Sequence, residues 1–297
     1  MSTDEIYSIG YRSPDQSQAS RSPIDPIART VLGTAFAKRT AKVLAAFGLG
    51  VFLIHAVWLV AVILVKKVAG GSDAQSAAII GSANEIVTTF LWVQYFVAAV
   101  LVAAIMPGCV ADDRQARCWI VYFSRPLSRR DYALGKLVGV FIVPCLGLVA
   151  PTALLSLVAF GISPPGARPG LLTLFVPATA ISILGAMALT TTMVGLSART
   201  DNSRSAGTFF AGAIFGLPLL VGSLSAVGVR FAGYIDPARN LRTLAHGWLD
   251  PSRSVAGDLV TRVEANGSVV LSLVAIGLFC LLGLAALWRE LHGDIDV

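Results

Sequence analysis

The segment Asp112–Tyr132, with the sequence DDRQARCWIVYFSRPLSRRDY, decides how this chain folds. It places eight charged side chains between two long runs that carry no charge, Ile86–Pro107 and Val138–Phe160. Uncharged apolar runs of this length are typical of helices that cross a membrane. The segment is therefore predicted to be a charged loop, held against the membrane by two spanning helices, to which a soluble partner can bind.

The composition of the whole chain also indicates a membrane protein. Only 13% of the 297 residues are charged, compared with about 25% in soluble domains, and the mean hydropathy is +0.74. In a soluble protein, the net charge of +6 would suggest a nucleic-acid partner. Here the basic residues flank the apolar runs, as the positive-inside rule requires, so no nucleic-acid partner is expected.

Six apolar segments are each long enough to cross a bilayer, which takes about 20 residues. The fold class predicted is an all-α polytopic membrane protein, with residues 43–297 as a six-helix membrane domain. Residues 1–42 are predicted to form a polar tail, in which Ile27–Lys42 is an amphipathic helix on the membrane surface. The charged loop covers residues 111–133, and the outer loop 230–266 is expected to carry a short interfacial helix. The predicted spans are Val43–Val65, Ile86–Pro107, Leu134–Phe160, Leu171–Leu196, Ala206–Val229 and Gly267–Trp288.

The distribution of Lys and Arg predicts the orientation of these spans. With the N-terminus inside, fifteen basic residues lie on the cytoplasmic side and eight on the outer side, which favours two cytoplasmic termini. Residues 1–42 lack the apolar core of a cleaved signal, so the first span is expected to remain as an anchor. The four cysteines form no CxxC pair, and the three histidines form no zinc motif, so neither a disulfide nor a metal site is expected.

Within the charged loop, the pattern predicts a short amphipathic helix. Asp113 and Arg117 are spaced for an ion pair one turn apart on its charged face. Pro126 ends this helix, and Ser128 and Asp131 then have the spacing of a capping box that starts the next one. The apolar face consists of Ala116, Trp119, Ile120 and Phe123.

The end of the loop, Ser124–Lys136 with the sequence SRPLSRRDYALGK, resembles the SRP-(V/L)-SR-x-x-(Y/F)-x-x-GK stretch of ABC-2-type permeases. These are the membrane subunits of ATP-binding-cassette exporters. In that family the stretch follows an acidic residue at the inner end of the second span, which Asp112 and Asp113 match here. Ile6–Arg12 (IYSIGYR) resembles a short N-terminal motif of some members, and the six-span layout covers nearly the whole chain.

This resemblance implies a type V exporter-like fold and a function for the loop. Two permease subunits, identical or homologous, would bind two cytoplasmic ATPase subunits, which hold ATP and Mg²⁺, while this chain catalyses no covalent chemistry and binds no cofactor. Asp112–Phe123 would act as the coupling helix that the ATPases push. The chain has no GxxxxGK[ST] phosphate loop of its own. The implied contact residues are Asp112, Asp113, Arg114, Arg117, Trp119, Tyr122, Phe123, Arg125, Pro126 and Arg129, and the expected location is the bacterial inner (plasma) membrane, in contact with its lipids.

The residues leave two other functions open. Asp112–Arg117 (DDRQAR) resembles the start of the D-G-x-x-A-R motif of CDP-alcohol phosphotransferases, which would make the chain a metal-dependent lipid-head or prenyl transferase. Asp113 stands where that motif has Gly, and the second acidic motif is missing. The third reading is a non-transporting membrane subunit that an ATPase drives.

Polar residues inside the spans are candidates for a translocation path. His55, Gln94 and Thr191 each lie within a predicted span, where a polar group marks a functional site or bonds a neighbouring helix. Gly135–Gly139 and Gly212–Gly216 have GxxxG spacing, and the second is predicted to permit close approach of helices, within the chain or across a dimer. Four prolines are expected to kink or break spans three to five: Pro144, Pro151, Pro177 and Pro218.

Overall fold

Helices make up nearly all of the part of the chain that the structure, a computed structural model, describes. That part comprises residues 24–68, 73–118, 127–249 and 268–293, and it contains no strand. The helices are α1 (Ile24–Ala37), α2 (Arg39–Val68), α3 (Asp73–Ile105), α4 (Gly108–Gln115), α5 (Arg129–Pro144), α6 (Ala150–Ile162), α7 (Arg168–Arg199), α8 (Ser203–Ala211), α9 (Leu217–Ala226), α10 (Pro237–Leu249) and α11 (Val269–Gly293). Short π-helices join α5 to α6 (Cys145–Val149) and α8 to α9 (Gly212–Gly216), and a 3₁₀ helix (Arg230–Ile235) precedes α10.

Six helical segments are long and apolar enough to cross a membrane, and each overlaps one of the six predicted spans. For the described residues, the predictions of an all-α fold and of six helices suited to crossing a membrane are therefore confirmed. Most spans extend beyond the prediction by a few polar or charged residues, because helical hydrogen bonding continues past the apolar stretch. In order, spans one to six are Arg39–Val68, Gln75–Gln115, Arg129–Ile162, Arg168–Arg199, Ser203–Ala226 and Val269–Gly293.

Spans three and five begin with side-chain caps. Ser128 Oγ accepts a hydrogen bond from the backbone N–H of Asp131 at 3.1 Å, and the Asp131 carboxylate accepts one from the backbone N–H of Ser128 at 3.3 Å. This confirms the predicted capping box, which satisfies two N–H groups that lack helical partners. Asn202 Oδ1 accepts from the backbone N–H of Ser205 at 2.8 Å and starts span five in the same way.

The prolines interrupt the regular helix in spans three and five. The π-helix of span three, Cys145–Val149, directly follows Pro144, and that of span five, Gly212–Gly216, lies two residues before Pro218. A proline has no N–H to donate, so the helix locally changes its hydrogen-bonding pattern. Span four contains Pro177 within one continuous α-helix.

Spans four and six make the closest helix contact, and two glycines permit it. A Cβ atom on Gly195 would lie 2.6 Å from the carbonyl oxygen of Gly283, and a Cβ on Gly283 would overlap the carbonyl oxygen of Thr191. Gly212 and Gly216, by contrast, have no atom of another element within 4 Å of where their Cβ would be. The close contact between spans four and six is therefore made by two glycines, neither of which belongs to a GxxxG pair.

The loop between spans five and six, residues 230–266, contains a buried helix rather than an interfacial one. Nine of the thirteen residues of α10 are buried, among them Arg239 and Asn240, because α10 packs against spans two, four and six. Asn84 Nδ2 of span two donates to the carbonyl oxygen of Leu249 at 2.6 Å. The predicted helix in this loop exists, but its surroundings are protein rather than the membrane surface.

Candidate functional site

Helix α4 continues span two past Met106 and Pro107 and forms the start of the charged loop. Ser197 of span four fixes its first turn, since Ser197 Oγ accepts hydrogen bonds from the backbone N–H groups of Val110 and Ala111, both at 3.0 Å. The same hydroxyl donates to the carbonyl oxygen of Pro107 at 2.7 Å. The first N–H groups of a helix lack partners within it, so span four supplies the cap and holds α4.

Asp113 of α4 connects span two to span three. Its Oδ2 atom forms a salt bridge with Nζ of Lys136 at 2.7 Å and accepts a hydrogen bond from the Tyr132 hydroxyl at 2.8 Å. Lys136 Nζ also lies 5.5 Å from the centre of the Tyr132 ring. The lysine side chain is 7% exposed, so its ammonium group does not extend to the membrane surface. A charge this deeply buried requires a partner, and Asp113 provides it.

Arg114, the next residue, connects span two to spans four and six. Its Nη1 atom forms a salt bridge with Oε1 of Glu290 near the end of span six at 2.6 Å, and it donates to the carbonyl oxygen of Ala198 at 3.3 Å. The adjacent residues Asp113 and Arg114 thus bind two different spans. We call Asp113, Arg114, Tyr132, Lys136 and Glu290 the charged cluster.

Helix α1 covers the same end of the bundle, which we call the α1 end. Its apolar face packs on span three, where a Cβ on Gly135 would lie 2.8 Å from Ile27 and a Cβ on Gly139 would lie 2.9 Å from Val31. Lys38, just after α1, donates to the carbonyl oxygen of Ile105 at 3.1 Å. The predicted amphipathic helix is therefore present as Ile24–Ala37, with its apolar face buried against protein.

A cavity of about 200 Å³ lies between α1, α4 and span three. Its charged lining comes from Lys38, Asp112, Asp113 and Lys136, two basic and two acidic residues. Because the opposite charges balance, the cavity does not select strongly for an anion or a cation. Its position shows that α1 does not fill the space beside the Asp113–Lys136 pair.

The end of α4 corrects the prediction for the coupling helix. The helix ends at Gln115, and Arg117 adopts a φ of +51°, in the left-handed region. A non-glycine residue in this conformation interrupts a right-handed helix, so Asp112–Phe123 is not one continuous helix. The expected ion pair between Asp113 and Arg117 is also wrong, because the carboxylate is bound to Lys136.

The other predicted contact residues fall into two groups. Asp112 and Arg117 are exposed, and Arg129 is half-buried as the first residue of α5. The Asp112 side chain folds back over Gly108 of its own helix. Five predicted contacts lie outside the described residues: Trp119, Tyr122, Phe123, Arg125 and Pro126.

The three candidates for a translocation path lie at two different helix contacts. The His55 ring of span one packs edge-on against Phe90 of span two, with 5.2 Å between ring centres. Gln94 lies one turn along span two, near Gly48 of span one. Thr191 lies beside Gly283 where spans four and six meet. His55 and Gln94 therefore share an interface, and Thr191 belongs to another.

Three residues of the site had not been singled out from the sequence for these roles. Ser197 and Glu290 carry no local signal, since their partners are 86 or more residues away. Lys136 had a signal, because a lysine inside an apolar segment requires either a position at the membrane–water interface or an acidic partner.

No protein-family model matches this chain, and no curated protein is significantly similar to it. We therefore infer the function from the geometry of the site.

Proposed function

We propose that the chain is the permease subunit of an ABC-2-type exporter, oriented with α1 and the charged cluster in the cytoplasm. Its main support is that Asp113 and Arg114, adjacent residues of one helix, bind different spans. Asp113 binds span three through Lys136, and Arg114 binds span six through Glu290. A displacement of α4 would therefore pull on both spans at once.

The contacts of α4 with its neighbours would pass such a displacement on to the adjacent helices. Ser197 binds its first turn to span four, and Arg114 also contacts the last turn of that span. Closely packed interiors are nearly incompressible, so a load on one helix moves its neighbours. In this mechanism, ATP-driven closure of two ATPase subunits pushes on the loop that starts with α4, and spans two, three, four and six move relative to the second permease subunit.

The proposal requires partners, because these 297 residues contain no phosphate loop for ATP. The two ATPases would hold ATP and Mg²⁺, and the contact would include Arg117 at the exposed end of α4 and the basic residues Arg125 and Arg129. Guanidinium groups suit this role, since they form paired hydrogen bonds with carboxylates on a partner. The second permease would be another copy or a homologous chain.

The test is purification of the full chain from native membranes in mild detergent, followed by mass spectrometry. We expect a nucleotide-binding ATPase in near-equal amount. Replacing Arg125 and Arg129 by Glu should remove the ATPase, because the substitutions reverse the charge of the proposed contact. Lys67→Glu, a charge reversal at the opposite end of the bundle where Lys67 is exposed, is the matched control and should retain it.

A second variant separates contact from transmission. Ser197→Ala leaves the residues of the proposed ATPase contact unchanged but removes the cap that binds α4 to span four. We expect the ATPase to copurify normally and to lose the stimulation of its hydrolysis by the permease. A chain that purifies without any ATPase, both from native membranes and after chemical crosslinking, would contradict the proposed function.

No specific observation supports either of the two alternative functions. Among the described residues, no three His, Cys, Asp or Glu side chains are grouped so that they could hold a metal ion. Asp113, the central carboxylate of the transferase hypothesis, is engaged by Lys136 and Tyr132. A non-transporting subunit would share the ATPase contact, and nothing in the geometry favours it over an exporter.

A further inference from the structure

A second cavity, of about 280 Å³, lies between α1 and spans one to three. Of the fourteen residues that line it, only Gln94 has a polar side chain. The groove runs along span one from Leu44 to Phe52, or about 12 Å at 1.5 Å per residue. Phe36 of α1 lines it as well. It is separate from the charged cavity.

Gln94 uses only one end of its side chain within the protein. Its Nε2 atom donates to the carbonyl oxygen of Gly147 in the π-helix of span three, at 2.6 Å. That carbonyl needs a donor because Pro151, four residues later, has no N–H. The opposite end, Oε1, is buried and has no hydrogen-bond partner among the described residues. The residue is 1% exposed.

An unpaired amide oxygen inside a membrane protein is costly, because the bilayer core provides no water to satisfy it. The groove that Gln94 lines is open towards the lipid side, since Leu49, Leu146 and Leu154 of its lining are each more than half exposed. An apolar chain from the bilayer can therefore enter from the side. Neighbouring atoms cover Oε1, so the amide must turn towards the groove before a hydrogen-bond donor on that chain can satisfy it.

The depth of Gln94 indicates where the donor lies on the chain. Gln94 is eleven residues from Ile105, which marks the α1 end through its contact with Lys38. At 1.5 Å per residue this is about 16 Å, or roughly half of the 30 Å hydrocarbon core, the depth that one acyl chain reaches. A polar headgroup at the α1 end would place the middle or distal part of its chain beside Gln94.

We infer that this groove binds an acyl lipid whose chain carries a hydroxyl group, with that hydroxyl donating to Oε1 of Gln94. The inference goes beyond the proposed function and does not depend on an ATPase. Gly48 supports it, because a side chain there would be directed at Val97 and Gln94, 3.2 and 3.5 Å from the Cβ position. Glycine thus keeps the groove open opposite the amide.

The test uses a matched pair of probes, 12-hydroxystearate and stearate, which differ only in a hydroxyl beyond the middle of the chain. Each competes with a photoreactive fatty acid for the full chain in lipid nanodiscs, and labelled peptides are mapped by mass spectrometry. We expect labelling in 44–52 and 146–154, and roughly 3- to 10-fold stronger competition by the hydroxylated probe, which is what one membrane hydrogen bond provides.

Two variants make the test specific. Ala45→Phe fills the groove without altering Gln94 and should abolish the labelling, whereas Ala46→Phe, at an exposed neighbouring position outside the groove, should not. Gln94→Leu should make the two probes equal. Equal competition in the unmodified protein, or labelling confined to other peptides, would overturn the inference. Crosslinks between two copies of the chain at Ala45, with no lipid label, would overturn it in favour of a dimer contact.

Discussion

Asp113 Oδ2 and Lys136 Nζ lie 2.7 Å apart and join the end of span two to the start of span three. The two side chains are 17% and 7% exposed, so water screens the pair weakly. The Tyr132 hydroxyl provides the carboxylate with a second donor. The pair is therefore a fixed link between α4 and span three.

Replacing Lys136 by Met should destabilise the protein, because the change leaves the partly buried Asp113 carboxylate without its cation. Removal of one partner of a buried pair costs about 3 kcal/mol. We expect a clearly lower melting temperature of the purified protein in detergent. Exchanging the two charges, Asp113→Lys with Lys136→Asp, should recover part of the loss. The control is Gln115→Ala, an exposed change on the same helix, and equal melting of the control and Lys136→Met would refute the link.

Gly139→Ala should loosen α1 from span three. The new Cβ would lie 2.9 Å from Val31 Cβ and 3.2 Å from Ala28 Cα, and overpacking of this kind costs about 1–3 kcal/mol. Faster proteolytic cleavage after α1, together with a lower melting temperature, is the expected result. Gly161→Ala in the same span meets nothing within 4 Å and should be neutral or slightly stabilising. Identical behaviour of the two variants would contradict the contact.

Gly283→Ala should be more damaging than Gly139→Ala. The added Cβ meets the backbone carbonyl of Thr191, and no side chain can rotate away to make space, so spans four and six must separate. We expect a loss of about 3 kcal/mol, at the upper end for overpacking, measured by thermal unfolding in detergent. Gly277→Ala, which has open space in the same helix, serves as the comparison and should melt like the unmodified protein.

Asp236, at the start of α10, should make stability depend on pH. Burial raises the pKa of its carboxyl above the usual 3.8, against the opposing effect of hydrogen bonds from the backbone of Arg239 and Ala238 and the charge of Arg239. The folded protein then retains a proton that the unfolded chain releases, so stability falls as the pH rises from 3.8 through the raised pKa.

Substitution of Asp236 separates its charge from its role as a cap. Its Oδ1 atom accepts a hydrogen bond from the backbone N–H of Ala238 at 2.9 Å, which an Asn side chain can replace. We expect Asp236→Asn to melt higher than the unmodified protein at neutral pH, with the difference shrinking as the pH approaches 3.8. Asp236→Ala should be about 1 kcal/mol less stable than Asp236→Asn at every pH, because it also lacks the cap. An Asn variant that melts lower at neutral pH would show that the charge is favourable.

The fold could be predicted from sequence to the level of its spans. Each span is a long apolar run, and the capping box of Ser128 and Asp131 depends on residues three apart, so both signals are local. The charged loop was predicted less well. The helix through Asp113 and Arg117 fitted the spacing, yet the chain turns at Arg117. The periodicity of a short helix reveals neither where the helix ends nor which tertiary partner, here Lys136, its side chains bind.

The partners of the site depended on contacts across the bundle. Ser197 caps a helix that lies 86 residues away along the chain, and Gly195 meets Gly283 without any motif at either position. The GxxxG spacing in span five, Gly212–Gly216, faces open space within the described chain. A glycine pattern shows that close approach is permitted, and only the assembled bundle selects which pairs use it.

The sequence by itself determined the six apolar spans, the helix caps and the location of the charge between spans two and three, because these depend on hydropathy and on neighbours within one turn. Only the tertiary structure decided that Asp113 and Arg114 face different spans and that α1 packs on protein. It alone also decided that Gln94 is left with an unpaired oxygen in an apolar groove. Each of these depends on which helices come together, and pairing between distant segments is set by packing of the whole bundle.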